Sequence, residues 1–205
     1  MIAIVDYGMG NLHSVRHALE RAGAESGIVG SPEALRSADR IVLPGVGAFG
    51  ECAARLRATG MVEALEEEVL KKGKPMLGIC VGMQLLAESG SELGSHAGLG
   101  WMRGSVGRLE PDDPGLKVPH VGWNEIAWTR DTPLSKGLSR APHFYFVHSY
   151  RFFPGESGLT AAECGYGEAF PAAIQFRNIF ATQFHPEKSQ DAGLRLLENF
   201  LSWSP

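Results

Sequence analysis

The sequence predicts an α/β fold, with a mainly parallel central sheet covered by helices on both faces, in one domain over residues 1–205. Short apolar runs rich in β-branched residues alternate with stretches of helical period through the first half of the chain. Those runs lack the alternating polar positions of a strand with one wet face, so both faces of the sheet are expected to be covered. A length of 205 residues at 44% hydrophobic composition supports one sizeable core, and no internal repeat or linker marks a second unit.

Ile2–Val5 reads as a buried first strand closed by the turn "DYGMGN". Asn11 is predicted to cap a helix whose apolar positions Leu12, Val15, Leu19 and Ala22 share a face, with Gly23 ending it. A strand follows at Ser26–Val29, then a helix entered at Ser31 and Pro32, then a buried strand over 40–43 ending in "PGVGAFG". Two helical stretches come next. The second, "MVEALEEEVLKKG", opens acidic and closes basic, as the helix dipole favours. A strand over 75–79 leads into a helix over 81–88. Thereafter "GSVGRLEP", "GWNEIAWT" and "HFYFVHSYRF" predict extra, partly antiparallel strands joined by long loops. "AAIQF" and "NIFATQF" predict a hairpin around Arg177 and Asn178, and "AGLRLLENFLSW" an amphipathic closing helix.

Composition removes several functional classes. A net charge of −4 without a basic tract gives no footprint for nucleic acid or an anionic membrane surface. The three cysteines, Cys52, Cys80 and Cys164, form no CxxC, so neither a disulfide framework nor a zinc site is expected. The start "MIAIVDYGMGN" has no basic n-region or long apolar core, and no apolar stretch approaches a bilayer span. The expectation is a soluble, cytoplasmic protein.

The chemistry-bearing stretch is "GKPMLGICVGMQLLAESG". Cys80 stands where a buried strand turns into a helix, with Gly78 and Gly82 two residues to either side. That spacing fits a nucleophile elbow, whose crowded backbone demands small neighbours and whose helix N-terminus favours a thiolate. The Val81 N–H is then available to an oxyanion. By itself the pattern also fits a buried structural thiol. "QFHPEKS" supplies the partners a cysteine nucleophile needs: His185 after a strand-like run as base, and Glu187 two residues on to hold the imidazole. On an extended segment, residues two apart point to the same side.

Other signals carry less. "GVGAFG" matches GxGxxG but follows Pro44 and does not open the first βα unit, so the glycine turn reads as a source of backbone N–H groups, not a dinucleotide site. His13 and His17 lie one helical turn apart without a third ligand and read as a solvated helix face. His96, His120, His143 and His148 are scattered and read as structural or interfacial.

"GICVGMQLL" with "QFHPEKS" resembles the class I, triad-type glutamine amidotransferases. "DYGMGNLHSV", "PGVGAFG", "VPHVGWN" and "FYFVHSYRF" resemble the branch whose glutaminase subunits serve a histidine-pathway cyclase, so the likeness covers essentially the whole chain. Ala181 and Gln190 stand where a small residue, often glycine at the first, is usual. The resemblance implies a flavodoxin-like mixed sheet, glutamine as substrate, a Cys80–His185–Glu187 triad, and no cofactor or metal. It implies an oxyanion region of Val81, Val46 and Gly47, and glutamine held by Gln84, Glu92, Ser149 and Tyr150. It implies a (β/α)8-barrel cyclase partner in a heterodimer, faced by Asn11, Trp123, Tyr145 and Lys188, with Asn11 also in the stretch supporting the oxyanion turn. Rival readings are the glutaminase subunit of pyridoxal phosphate synthase, a non-catalytic binding subunit of the same fold, and a redox-sensing or chaperone-like cysteine protein on a related α/β fold.

Overall fold

The computed structural model describes residues 1–205. The chain starts with β1 (Ile2–Val5), α1 (Leu12–Arg21), β2 (Ser26–Val29), α2 (Pro32–Arg36) and β3 (Arg40–Gly45). It continues with α3 (Phe49–Ala58), α4 (Met61–Leu65), β4 (Met76–Cys80) and α5 (Val81–Gln84). Eight further strands follow: β5 (Ser89–Gly90), β6 (His96–Ala97), β7 (Gly104–Arg108), β8 (His120–Trp128), β9 (His143–His148), β10 (Tyr150–Pro154), β11 (Thr160–Tyr166) and β12 (Glu168–Phe176). The hairpin partner β13 (Ile179–Thr182) and the helix α6 (Gln190–Ser202) close the chain.

A nine-stranded sheet runs β2-β1-β3-β4-β13-β12-β11-β8-β9. Its β2-β1-β3-β4-β13 half is parallel and the remainder antiparallel. The parallel half has the flavodoxin-like strand order, which leaves a crevice beyond the carboxyl ends of its central strands. A second sheet, β10-β7-β5-β6, has four strands. One cluster of 54 buried residues draws on both halves of the chain, so the later strands extend the first core and do not form a separate unit. No helix is long and apolar enough to cross a membrane.

The carboxyl ends of β3, β4 and β13 lie side by side, with Gly45 opposite Cys80 and Thr182 opposite Ile79. Three stretches distant in sequence therefore emerge together: the 45–48 turn, the Cys80 elbow and the 183–188 segment. At the elbow Cys80 takes φ 54 and ψ −112, a conformation that costs a side-chain-bearing residue about 1–3 kcal/mol. Packing around the turn enforces it. A Cβ on Gly82 would stand 1.9 Å from the Leu43 carbonyl oxygen, because α5 starts directly over β3.

Several sequence expectations are corrected. The helix after Cys80 ends at Gln84, not 88. The carbonyls of Leu85, Leu86, Ala87 and Glu88 instead accept from the N–H groups of the 98–102 loop, which diverts the chain from helical pairing. Asn11 holds the N-cap position of α1, but its side chain makes no capping bond. The acidic stretch after α4 winds as a π-helix over Glu66–Lys71, which buries Glu68 between Lys72 and Lys74 at 2.8 and 2.7 Å. "HFYFVHSYRF" breaks at Ser149 into β9 and β10, which belong to different sheets. The hairpin at Arg177 and Asn178 forms, with Phe176 facing Ile179.

Gly82→Ala is expected to destabilise the protein by about 3 kcal/mol or more in urea denaturation, since backbone must move to admit the methyl group. Gly165→Ala, where an added Cβ meets nothing within 4 Å, should change stability by no more than about 0.5 kcal/mol. Equal effects at the two positions would contradict the packing account of the elbow.

Candidate active site

A cleft of about 480 Å3 opens over the carboxyl ends of the central strands. It is lined by Cys80 and His185, by Val46, Gly47 and Val81 on one side, and by Gln84, Glu92, Ser149, Tyr150 and Lys188 around them. Ten of the residues singled out from the sequence thus line one cavity. A larger cleft, about 600 Å3, lies beside the start of α6, and Trp123 is the one predicted site residue that lines it.

The three residues expected to act together are brought together. His185 Nδ1 lies 2.7 Å from Glu187 Oε1, and both side chains are 2% exposed. The link is not made along an extended segment as expected. Pro186–Lys188 forms a 3-10 turn, favoured by the fixed φ of Pro186, and the turn returns the carboxylate to the ring. Bonding of Nδ1–H to the carboxylate leaves Nε2, which is buried and has no other hydrogen-bond partner, to serve Cys80. Burial alone pulls the imidazole pKa down, but the Cys80 sulfur and the Glu187 carboxylate outweigh it and raise the value to about 10. An imidazolium braced by the Glu187 carboxylate is the proton donor that a departing amine requires.

The His185 segment is anchored to the strand beside it. The His185 N–H donates to the Tyr145 carbonyl at 2.9 Å, and the Tyr145 N–H donates to Ser189 Oγ at 3.0 Å. Ser189 Oγ–H in turn bonds the His185 carbonyl at 2.6 Å. The backbone of β9 therefore sets the position of the imidazole. Cys80 Sγ lies 4.0 Å from the Val147 carbonyl on the same strand, within reach of a weak S–H···O bond.

The glycine turn beside Cys80 is held at three points, the Pro44 and Val46 carbonyls and the Phe49 N–H, and leaves two N–H groups free. Buried Tyr7, whose hydroxyl pKa is raised by desolvation, donates to the Pro44 carbonyl at 2.8 Å. The Cys52 thiol, pushed up to about 11 chiefly by burial, donates to the Val46 carbonyl at 3.4 Å. Glu92 Oε2 accepts from the Phe49 N–H at 2.8 Å and caps α3, whose N-cap residue Ala48 has no side chain to do so. Between these anchors the exposed Val46 and Gly47 keep N–H groups that no protein group accepts. Gly47 needs its φ of +98, and a Cβ on Gly45 would stand 2.7 Å from Tyr7 Oη.

Two candidate ligands have part of their hydrogen-bonding capacity committed. Gln84 Nε2 donates to both the Tyr150 carbonyl and Gln183 Oε1 at 3.0 Å, so only its oxygen remains for a ligand. Glu92 keeps one oxygen beyond its cap. Of the remaining predicted residues, Trp123 and Tyr145 are cross-strand partners on β8 and β9 with ring centroids 6.2 Å apart, and Lys188 Nζ lies 5.7 Å from the Tyr145 ring. Trp123 and Lys188 are exposed and Tyr145 is half-buried. Asn11 is exposed at the start of α1 and makes no side-chain bond to the glycine turn. Support for that turn comes instead from Tyr7 and from Met9, whose methyl group an added Cβ on Gly47 would meet at 2.8 Å.

Sequence reasoning missed Gln183 and the pairing of two histidines. Gln183, wholly buried after β13, places Nε2 3.6 Å from Cys80 Sγ. His120 and His148 are not scattered: the register of β8 with β9 sets them opposite each other, buried, with Nδ1 of the first 3.0 Å from Nε2 of the second. Only the adjacency of Gln183 to "FHPE" offered a clue; pairing of the histidines required the strand register.

Cys80→Ser is expected to lower the His185 pKa well below its wild-type value when ring resonances are followed by NMR, because burial remains and one of two opposing partners is weakened. Glu187→Gln should act in the same direction. An unchanged titration in both variants would show that these side chains do not set the charge of the imidazole.

The class-I glutamine amidotransferase family model matches residues 3–203. Imidazole glycerol phosphate synthase subunit HisH of Rhodospirillum rubrum is 50% identical over 212 residues, which cover 100% of this chain and 99% of that protein. The subunit of the same name from Zymomonas mobilis subsp. mobilis is 51% identical over 208 residues, covering 100% and 96%. Among solved structures, a glutamine amidotransferase superposes with a TM-score of 0.76 at 22% identity, covering 98% of each chain. The PurLQS structure from Thermotoga maritima gives 0.77 at 19% identity, covering 98% of this chain and 97% of that one. At such identities these structures speak to the fold, whereas the family model and the full-length relatives speak to descent: the chain belongs to the class-I glutamine amidotransferase family.

Proposed function

We infer that this chain is the glutaminase subunit of an imidazole glycerol phosphate synthase, hydrolysing L-glutamine and passing ammonia to a cyclase partner in histidine biosynthesis. The observation that carries this reading is the single cleft in which Cys80, on its strained elbow, meets His185 braced by Glu187. The full-length relatives named as subunits of that synthase support it over a pyridoxal phosphate synthase glutaminase. The complete Cys80, His185 and Glu187 set favours an enzyme over a non-catalytic binder.

Cys80 attacks the side-chain amide carbon of glutamine as a thiolate, forming the carbon–sulfur bond as the carbonyl electrons move to oxygen. The N–H groups of Val46, Gly47 and Val81 surround the developing oxyanion. His185 gives its proton to the departing ammonia, and the thioester remains. His185 then takes a proton from water, whose oxygen attacks the thioester and releases glutamate and the thiolate. Gln84, through its free oxygen, Glu92, Ser149 and Tyr150 orient the substrate.

One oxyanion donor is worth about 2.7–4 kcal/mol, so a single misdirected peptide silences such a site by roughly 100- to 1000-fold. The peptide after Gly45 is where a partner can act: its neighbours are anchored by Tyr7, Cys52 and Glu92, and the Val46 N–H between them has no protein acceptor. The partner with its bound ribonucleotide turns that N–H toward the oxyanion, which links ammonia production to the presence of an acceptor. Val121, Trp123 and Val147 expose an apolar face beside the cleft mouth, continued by Tyr145 and Lys188. Aromatic residues on such a face suit a subunit interface, here with a (β/α)8-barrel cyclase in a heterodimer. The three free thiols fit a cytoplasmic site of action.

Glutamate release should be slow for the isolated chain and rise by about 100-fold or more on adding a histidine-pathway cyclase and its ribonucleotide ligand. Cys80→Ala should bind the partner but release no glutamate above background. Equal rates with and without the liganded cyclase would remove the switch, and activity in Cys80→Ala would remove the mechanism. Trp123→Ala should weaken partner binding by about 2 kcal/mol, near thirtyfold in Kd by calorimetry, and an unchanged Kd would displace the interface from this face.

A further inference from the structure

One buried polar side chain at the nucleophile has no part in the triad. Gln183 places its Nε2 3.6 Å from Cys80 Sγ, and its Oε1 accepts from Gln84 Nε2 at 3.0 Å. The same Gln84 nitrogen donates to the Tyr150 carbonyl at 3.0 Å. A carbonyl can only accept, so Gln84 must turn its NH2 group toward Tyr150. Its second hydrogen then requires the oxygen of Gln183, and the NH2 of Gln183 is left facing the sulfur. One backbone oxygen fixes the polarity of the whole chain.

That oxygen is itself held from a second side. His148 Nδ1 lies 2.9 Å from it and donates, so His148 Nε2 accepts from His120 Nδ1 at 3.0 Å. His120 Nε2 then accepts from Asn124 Nδ2 at 3.2 Å, and Asn124 also donates to the Gly165 carbonyl at 3.0 Å. This pattern needs both imidazoles neutral, and burial lowers their pKa values to about 4 for His120 and about 3 for His148.

We propose that Gln183 is a further catalytic residue: its carboxamide N–H bonds the Cys80 sulfur and shares the thiolate charge with His185, while Gln84 locks the carboxamide in that orientation. A buried anion needs more than one donor, and a donor to ionised sulfur is stronger than one to a thioester sulfur. The bond therefore favours the thiolate both before attack and as it leaves when the thioester is hydrolysed. The catalytic part of this inference rests on the glutaminase reading; the effect on the sulfur does not.

The test is the rate at which iodoacetamide alkylates Cys80 at neutral pH, with site identity checked by peptide mapping. Gln183→Met keeps the volume and removes the donor, and is expected to slow alkylation about tenfold. In the cyclase complex it should lower kcat for glutamine about tenfold while KM stays within about twofold. Gln84→Met leaves Gln183 in place but frees its orientation; it should also slow alkylation, and the double variant should be no slower than Gln183→Met alone. Should Gln183→Met not fold, as judged by loss of its cooperative melting transition, Gln84→Met decides on alkylation alone. An alkylation rate within about twofold of wild type in the folded variants would overturn the proposal. Slowed alkylation in a chain that never releases glutamate would uphold the sulfur contact and sink the glutaminase reading.

Discussion

The site depends on a steric constraint: the backbone at Cys80 cannot relax. A residue with a side chain sits at φ 54 because β4 must end beside β3 while α5 begins almost on top of the Leu43 carbonyl. Gly82 is the position where that approach is closest, and an added methyl group has nowhere to go. The strain, about 1–3 kcal/mol, is held by the sheet and core around it. Its effect is to lift one thiol to the rim of the sheet, where the neighbouring strand ends supply both the glycine turn and the imidazole.

Parallel pairing makes this arrangement possible. Strands that run together end together, so β3, β4 and β13 deliver three loops to one place although they are far apart in sequence. The antiparallel extension does a different job. Along β9, Phe144, Phe146 and His148 turn into the core, while Tyr145 and Val147 face outward beside Trp123 and Val121 of β8. The backbone of the same strand holds the His185 segment through Tyr145 and approaches Cys80 through the Val147 carbonyl. The exposed face and the cleft thus adjoin along one strand, and Val147 belongs to both.

Local chemistry made much of this legible from the residues alone. The elbow shows in Gly78, Cys80 and Gly82 because close approach admits only glycine, and the brace shows in His185 and Glu187 because they are sequence neighbours. What escaped depends on distant parts of the chain. The helix after Cys80 does not run on past Gln84 because a loop ten or more residues onward claims the carbonyls of Leu85–Glu88. The strand β11, "TAAECGY", carries small residues at Ala161 and Ala162 where larger ones would mark a buried face, so its period is faint. His120 and His148 become a pair only through strand register, and Gln183 reads as an ordinary strand-end amide until Gln84 is placed against it. Buried polar networks are the least visible layer in a sequence, since their partners are chosen by the fold.

The central claim is that the sulfur of Cys80, and no other group, forms a covalent bond to glutamine in this cleft. Mass spectrometry of acid-quenched turnover mixtures of chain and liganded cyclase tests it directly, because a thioester survives acid long enough to be mapped to a peptide. The expected result is a glutamyl adduct confined to the peptide bearing Cys80 and increased in abundance by Glu187→Gln. Steady glutamate release with no adduct, or an adduct on Cys52 or Cys164, would contradict it.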